Sequence, residues 1–364
     1  MTGKERLIAA LDGKPLDRLP ATTHHILDYF MDTYMEGRHY LEFFKETGLD
    51  PIFWVNDWSW TPEQLENWRI EKEVLPDARY FTERYYIHTP AKTLTMLIQS
   101  NQYTSWVSEA LLKDKEDIEI LDRYMPAPSS NPEMVKKAAA EHPDCLIRGT
   151  VACLSPLGQP GCWQELTMLY GVQESIMETF EDPEWVEEAL KMIQRKKLQY
   201  VDSLAECPYD ILELGGGSAS TTVISPAIFE EFVAPYDAAV IRKMHERGQR
   251  VAYHTCGGMM PILEQLAAME PDAMETFTPA SMGGDTDLAQ ARKRLGNKVC
   301  MIGGFDQGHH FVNCTPEETK KNVRRCFEAA GEGGRFILSP SDHFFDADLD
   351  LIKAFAEEAA RCTY

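Results

Sequence analysis

The chain has 364 residues, of which 44% are hydrophobic, and a formal charge of −22 spread along its length rather than gathered in a tail. That length and apolar content allow a large core, and the mixing of charged with apolar residues excludes bulk disorder. The charge repels nucleic acid and anionic lipid, so neither is expected as a partner. No apolar run approaches the roughly 18 residues of a membrane span. Residues 1–20 are charged throughout and do not read as a signal peptide. The nine cysteines, an odd number, read as reduced thiols of a cytoplasmic protein.

In chain order, the first strand is expected in LPATTHHI (19–26). ERYYIHTPAKTLTMLIQ (83–99) reads as a hairpin, and CLIRGTVAC (145–153) as another strand. Asp182-Pro183-Glu184 opens a helix, with an aspartate cap and proline at the first helical position. Val186, Leu190, Ile193, Leu198 and Val201 then recur near helical spacing. The strand DILEL (210–214) runs into three glycines, and a helix starts at Ser225-Pro226 and ends near Gly248. RVAYH is a strand, MMPILEQLAAM a helix, DAMETF (272–277) a strand and DLAQARKRLG a helix. KVCMIGG (298–304) is a strand, and Thr315-Pro316-Glu317-Glu318 is a capping box opening a helix to about Ala330. RFILSP (335–340) is the last strand before the amphipathic helix LDLIKAFAEEAAR.

Repeated strand–helix units imply parallel strands covered by helices. A closed barrel and an open doubly wound sheet both fit that rhythm, but no GxGxxG fingerprint follows an early strand. The expectation is an α/β protein: a single (β/α)8 TIM barrel domain over residues 1–364, with an N-terminal extension and the 80–107 hairpin over its mouth.

Active sites of such barrels lie at the carboxyl ends of the strands. There the sequence places His24-His25, Asp57-Trp58, Glu213, His254-Thr255-Cys256, Glu275, Phe305-Asp306 and Asp342-His343. For His24, Asp57 and Glu213 a capping or surface role suits the sequence equally well. His254 and Cys256 stand two apart in an extended segment, on one face and roughly 6.5 Å apart along the strand. A nitrogen and a sulfur at that spacing can close on one zinc ion. The same pair also suits a core histidine beside a small core cysteine.

RLIAALDGKPLDRLPA, ISPAIFEEFVAPY (224–236), YHTCGGMMPILEQL (253–266) and GGFDQG (303–308) together resemble the uroporphyrinogen decarboxylase superfamily. The histidine–cysteine segment is similar to that of its corrinoid-linked methyltransferase branch. The resemblance implies a (β/α)8 barrel with zinc held by H-x-C and a later cysteine after the last strand. His254 and Cys256 fill the first two positions. Where relatives read proline–glycine–cysteine–glycine, this chain reads Pro340-Ser341-Asp342-His343, so Asp342 takes the cysteine's place. Glu275 is a further oxygen ligand by similarity to the zinc site of cobalamin-independent methionine synthase.

The implied function is zinc-dependent methyl transfer between a small methylated substrate and a corrinoid. No D-x-H-x-x-G segment is present to hold corrinoid, so the corrinoid is expected on a separate protein, with self-association into a homo-oligomer allowed. A carboxylate in place of a second thiolate leaves zinc a stronger Lewis acid, suited to an ether oxygen. O-demethylation of a methoxylated aromatic is therefore favoured. The alternatives are a metal-free lyase of the decarboxylase type, a corrinoid:thiol methyltransferase, and a non-catalytic binding module. In the favoured case Asp306, Glu213 and His343 are the catalytic candidates, and His24, Asp57, Trp58 and Phe305 the substrate contacts. His254, Cys256, Asp342 and Glu275 are the candidate metal ligands.

Overall fold

The computed structural model describes residues 1–56, 58–76 and 78–364. Seven parallel strands form a curled sheet in simple chain order: β1 (Ile52–Trp54), β2 (Leu146–Thr150), β3 (Ile211–Gly215), β4 (Val251–His254), β5 (Ala273–Thr276), β6 (Cys300–Phe305) and β7 (Phe336–Pro340). β2 to β7 are each buried along most of their length, as strands covered on both faces must be, while only Ile52 of β1 is buried. The intervening helices supply the outer cover; Pro183–Asp202 and Pro316–Ala330 are the longest. The capping box expected at Thr315 is present, with Thr315 Oγ1 accepting from Glu318 N.

The segment expected as the first strand, 19–26, is not a full strand. Its ladder is reduced to one parallel bridge, Ala21 to Leu338 on β7. On its other side the Ala21 carbonyl accepts from Asp50 N at 2.8 Å, and the Asp50 carboxylate accepts from Ala21 N at 3.0 Å. Arg6 and Arg18 both hold Asp50, which keeps this junction fixed. Helix Gly3–Asp12 lies beneath the sheet, where Leu7 and Leu11 meet Ile52, Ile211, Ile302 and Ile337 under Arg148. The amino-terminal end of the curl is thus apolar and plugged, and the polar side chains lie at the other end.

Phe81–His88 and Thr93–Ser100 pair antiparallel in continuous register. They belong to a four-stranded sheet with Arg69–Leu75 and Ser105–Glu109, where the sequence suggested two strands only. The outer strand, RIEKEVL, is exposed on both faces and lacks the one-sided alternation that would mark it. Tyr103, between the last two of these strands, packs against Tyr29 and Phe345, so this sheet touches the loop that follows β7.

The loop after β2 is fastened from below by a buried pair. Glu165 accepts from Leu154 N, Ser155 N and Gln159 N. Lys197, fully buried, donates to the carbonyls of Ala152 and Gln159 and meets Glu165 at 3.3 Å. All nine cysteines carry free thiols. Among the described residues no helix is long and apolar enough to cross a membrane.

Candidate metal centre

Inward-facing side chains of neighbouring strands meet at the carboxyl end of the sheet. β4 pairs with β5 so that His254 stands opposite Glu275, and with β3 so that Ala252 stands opposite Glu213. Period-two alternation therefore sends His254, Glu275 and Glu213 to one interior. Arg148 joins them from β2. Its guanidinium donates to Glu213 at 2.7 Å, to Glu275 Oε2 at 3.1 Å and, more closely still, to Glu275 Oε1. It also lies over the Trp54 ring at 4.6 Å. His24 completes the group, with Nε2 at 2.9 Å from Glu213 and 3.5 Å from Glu275.

Five ionisable groups in so little water hold one another charged. Burial pushes the Glu213 carboxyl up, but the charges of His24, His254 and Arg148 outweigh it and bring it down to about 2. Burial acts against Glu275 in the same way, and Arg148 and His24 hold it well below the usual carboxylate range. His25, stacked on Trp54 at 4.0 Å, is pushed down to about 3 by burial and by the neighbouring His24 charge.

A second group opens from His254 toward the surface. The ligand atoms of His254, Cys256 and Asp342 all lie within 4.8 Å of one another. Nδ1 of His254 faces Glu275 at 3.1 Å, which leaves Nε2 for a metal and fixes the ring from behind, the usual arrangement of metal-binding histidines. The loop carrying Cys256 fits because of its glycines. A Cβ on Gly217 would stand 2.6 Å from the Cys256 sulfur, and one on Gly215, at φ +103°, would stand 2.4 Å from the His254 carbonyl. Backbone N–H groups of Gly257, Gly258, Met259 and Met260 are bound by Thr278, Thr222 and, for the last two, Asp285. Asp342 accepts from His343 N at 2.7 Å and meets His343 Nδ1 at 2.9 Å. Burial opposes ionisation of Asp342, yet the His343 bond and the His254 and His24 charges hold its carboxyl well below the ordinary range.

One nitrogen, one sulfur and one carboxylate oxygen at such separations suit zinc. His24, Glu213, His254 and Glu275 also lie within 4.8 Å of one another, but Arg148 already supplies the cation there. Glu275, expected as a ligand, is hydrogen-bonded by Arg148 and faces His254 Nδ1.

The profile of the family described as uroporphyrinogen decarboxylase (URO-D) matches residues 85–362. The chain belongs to this family. It is similar to the uroporphyrinogen decarboxylase of Trichodesmium erythraeum, 28% identical over 117 residues, or 31% of this chain and 30% of the relative. That of Crocosphaera subtropica is 25% identical over 183 residues, covering 50% and 48%. The matched stretches thus span a third to a half of the length of these curated relatives. In fold, the chain is similar to a methyltransferase from Methanosarcina mazei, with a TM-score of 0.69 over 99% of both chains at 16% identity.

Within this URO-D frame several expected site residues are placed elsewhere. Phe305 is a correction: it is fully buried and packs against Phe311 and Phe355, facing the helices and not the cluster. Trp58 lies half-buried just beyond β1, in a two-residue strand against Ser129–Ser130 and edge-on to Tyr200. Asp306 is engaged as a helix cap, accepting from His309 N and from Ser281, and no hydrogen bond or ion pair joins it to the cluster among the described residues. Asp57 lies outside the described residues. His343 stands at the outer edge beside Phe345.

Arg148 was missed, although LIRGT carries a signal. A lone arginine amid apolar residues, in a strand otherwise fit for full burial, needs buried carboxylates to face. Trp54, named in the sequence only as one aromatic among many near the opening, is held between Arg148 and His25.

Proposed function

We propose that this chain is a zinc-dependent methyltransferase. It takes a methyl group from a small methylated substrate, a methoxylated aromatic being favoured, and passes it to a corrinoid on a separate protein. The observation that carries the reading is the convergence of His254, Cys256 and Asp342 within 4.8 Å. These three residues would hold the zinc, with Glu275 fixing the His254 ring. When bound by one thiolate and one carboxylate, zinc supplies a Lewis acid suited to an ether oxygen. His343, half-exposed beside Asp342, is assigned to exchange a proton with the departing oxygen. Glu213 and Arg148 keep His24 and Glu275 in place.

In the same proposal residues 20–22 act as the eighth stave of a (β/α)8 barrel, supported by the Ala21–Leu338 bridge and the Asp50 bonds. The four-stranded sheet covers part of the mouth, supported by the contacts of Tyr103. The corrinoid protein docks over the remainder.

A metal-free lyase of the decarboxylase type is the second reading, favoured by the names of the sequence relatives. Metal analysis separates the two. The proposal expects about one zinc per chain, lost in a His254→Ala/Cys256→Ala double variant of intact fold; metal-free native protein refutes it. Asp342→Cys tests the direction of transfer: zinc stays bound while methyl release from an ether slows. Unchanged ether cleavage in that variant refutes the preference for ethers.

A further inference from the structure

We infer that Gln307 is a positioning residue that delivers Asp342 to the zinc, so that the third ligand stands ready before the metal arrives; the inference rests on the metal reading above. Gln307 follows β6 in the segment GGFDQG (303–308) and opens the short helix Gln307–His310. It is 2% exposed, and a buried amide is unfavourable unless its hydrogen bonds are made. Here they are made to one stretch of backbone. Nε2 donates to the carbonyls of Asp342 at 3.0 Å and His343 at 3.3 Å, and Oε1 accepts from Ser341 N at 3.0 Å. Ser341 is also held from β6, its N and Oγ both donating to the Phe305 carbonyl, at 3.1 and 2.9 Å. One side chain thus fixes three consecutive residues, and the middle one is the proposed ligand.

Bonds within the loop aim what remains. Both contacts of the Asp342 carboxylate, from His343 N at 2.7 Å and His343 Nδ1 at 2.9 Å, use Oδ1. Oδ2 has no hydrogen-bond partner among the described residues, and the side chain is 26% exposed, within reach of an entering ion. The outer end of the loop is fastened separately. Phe344 packs edge-on against Phe30 and Phe311, at 5.0 and 5.5 Å, and Asp346 accepts from the Tyr34 hydroxyl at 2.7 Å. A carboxylate on a free loop must be ordered as the metal binds, which lowers affinity. On this loop the ordering precedes binding. A glutamine that merely stapled two loops together would serve stability alone, and a cycle of variants separates the two roles.

The test is the zinc affinity of the full chain, read by chelator competition, in wild type, Gln307→Met, Asp342→Ala and the double variant, each with a native circular dichroism spectrum. Gln307→Met keeps the volume and is expected to weaken zinc binding about 10–100-fold. Once Asp342 is replaced, the methionine should weaken it no further, because Gln307 acts through that carboxylate. Wild-type affinity in Gln307→Met or in Asp342→Ala overturns the inference, as does an equal loss from Gln307→Met in the Asp342→Ala background. If Gln307→Met does not fold, hydrogen exchange of peptides spanning 341–348 in the zinc-stripped wild-type chain decides. Slow exchange is expected there, and free exchange that slows only when zinc is added overturns the inference. The metal reading fails by a different readout, when the wild-type chain itself takes up no zinc.

Discussion

Replacing Arg148 by methionine is the most informative single change. The guanidinium is 2% exposed and faces two carboxylates that are themselves 2% and 7% exposed. Methionine fills much of the volume but leaves Glu213 and Glu275 with their negative charges facing each other. Removing one partner of a buried ion pair costs about 3–5 kcal/mol. At about 2.1 cal/mol/K per residue, a chain of 364 residues unfolds with an entropy of about 0.8 kcal/mol/K, so the expected fall in Tm is about 4–6 °C. The pH dependence has a definite sign. Both carboxyls sit below their ordinary value of 4.5 in the folded chain, Glu213 at about 2. Their stabilisation is therefore complete above pH 4.5 and is lost as the pH falls through the folded value. Without Arg148 both folded values rise, so the deficit is widest above about pH 5 and narrows below it. Thermal unfolding followed by circular dichroism from pH 4 to 8 measures this. A variant within one degree of wild type, or a deficit that grows on acidification, refutes the reasoning. Adding Glu213→Gln and Glu275→Gln to the methionine variant should recover part of the loss, since the two facing carboxylates are then gone.

Glu275→Gln alone should leave the three zinc ligands in place yet weaken zinc binding about 10–100-fold through the loosened His254 ring, read by competition with a chromophoric chelator. Phe305→Ala should destabilise by about 3–5 kcal/mol as a core cavity, with the KM for the methyl donor unchanged; a raised KM would return Phe305 to the site. Asp306→Ala should cost about 1 kcal/mol through the lost cap, without effect on zinc content measured by mass spectrometry.

The alternation of apolar runs with amphipathic stretches made the strand–helix order of the second half legible, because each strand there is buried on both faces and each helix has one apolar stripe. The segment 19–26 misled for a local reason: its apolar and β-branched residues suit a strand, but the structure leaves it one bridge, at Ala21. His254 and Cys256 stood out because the pair lies within three residues. The partnership of Arg148 with Glu213 and Glu275 was hidden because it joins three strands, and no local spacing encodes which strands become neighbours. Phe305 was misplaced because an aromatic side chain at a strand end serves packing and binding alike; only the direction of the strand's pleat decides between them.

The bridge between Ala21 and Leu338 also bears on how the chain acquires its shape. These residues stand nearly the whole chain apart, so the contact forms only once the last strand has been synthesised. Without segment 20–22 beside it, β1 would present an open rim of unpaired backbone groups, the kind of edge through which partly made chains stick to one another. The ring of arginines around Asp50 can assemble earlier, since Arg6, Arg18 and Asp50 lie within one short stretch of sequence. It would hold the early segment ready beside β1, shielding that rim while the other strands are added in order. The slow, nonlocal step of folding is then reduced to docking the final strand against a segment already in position.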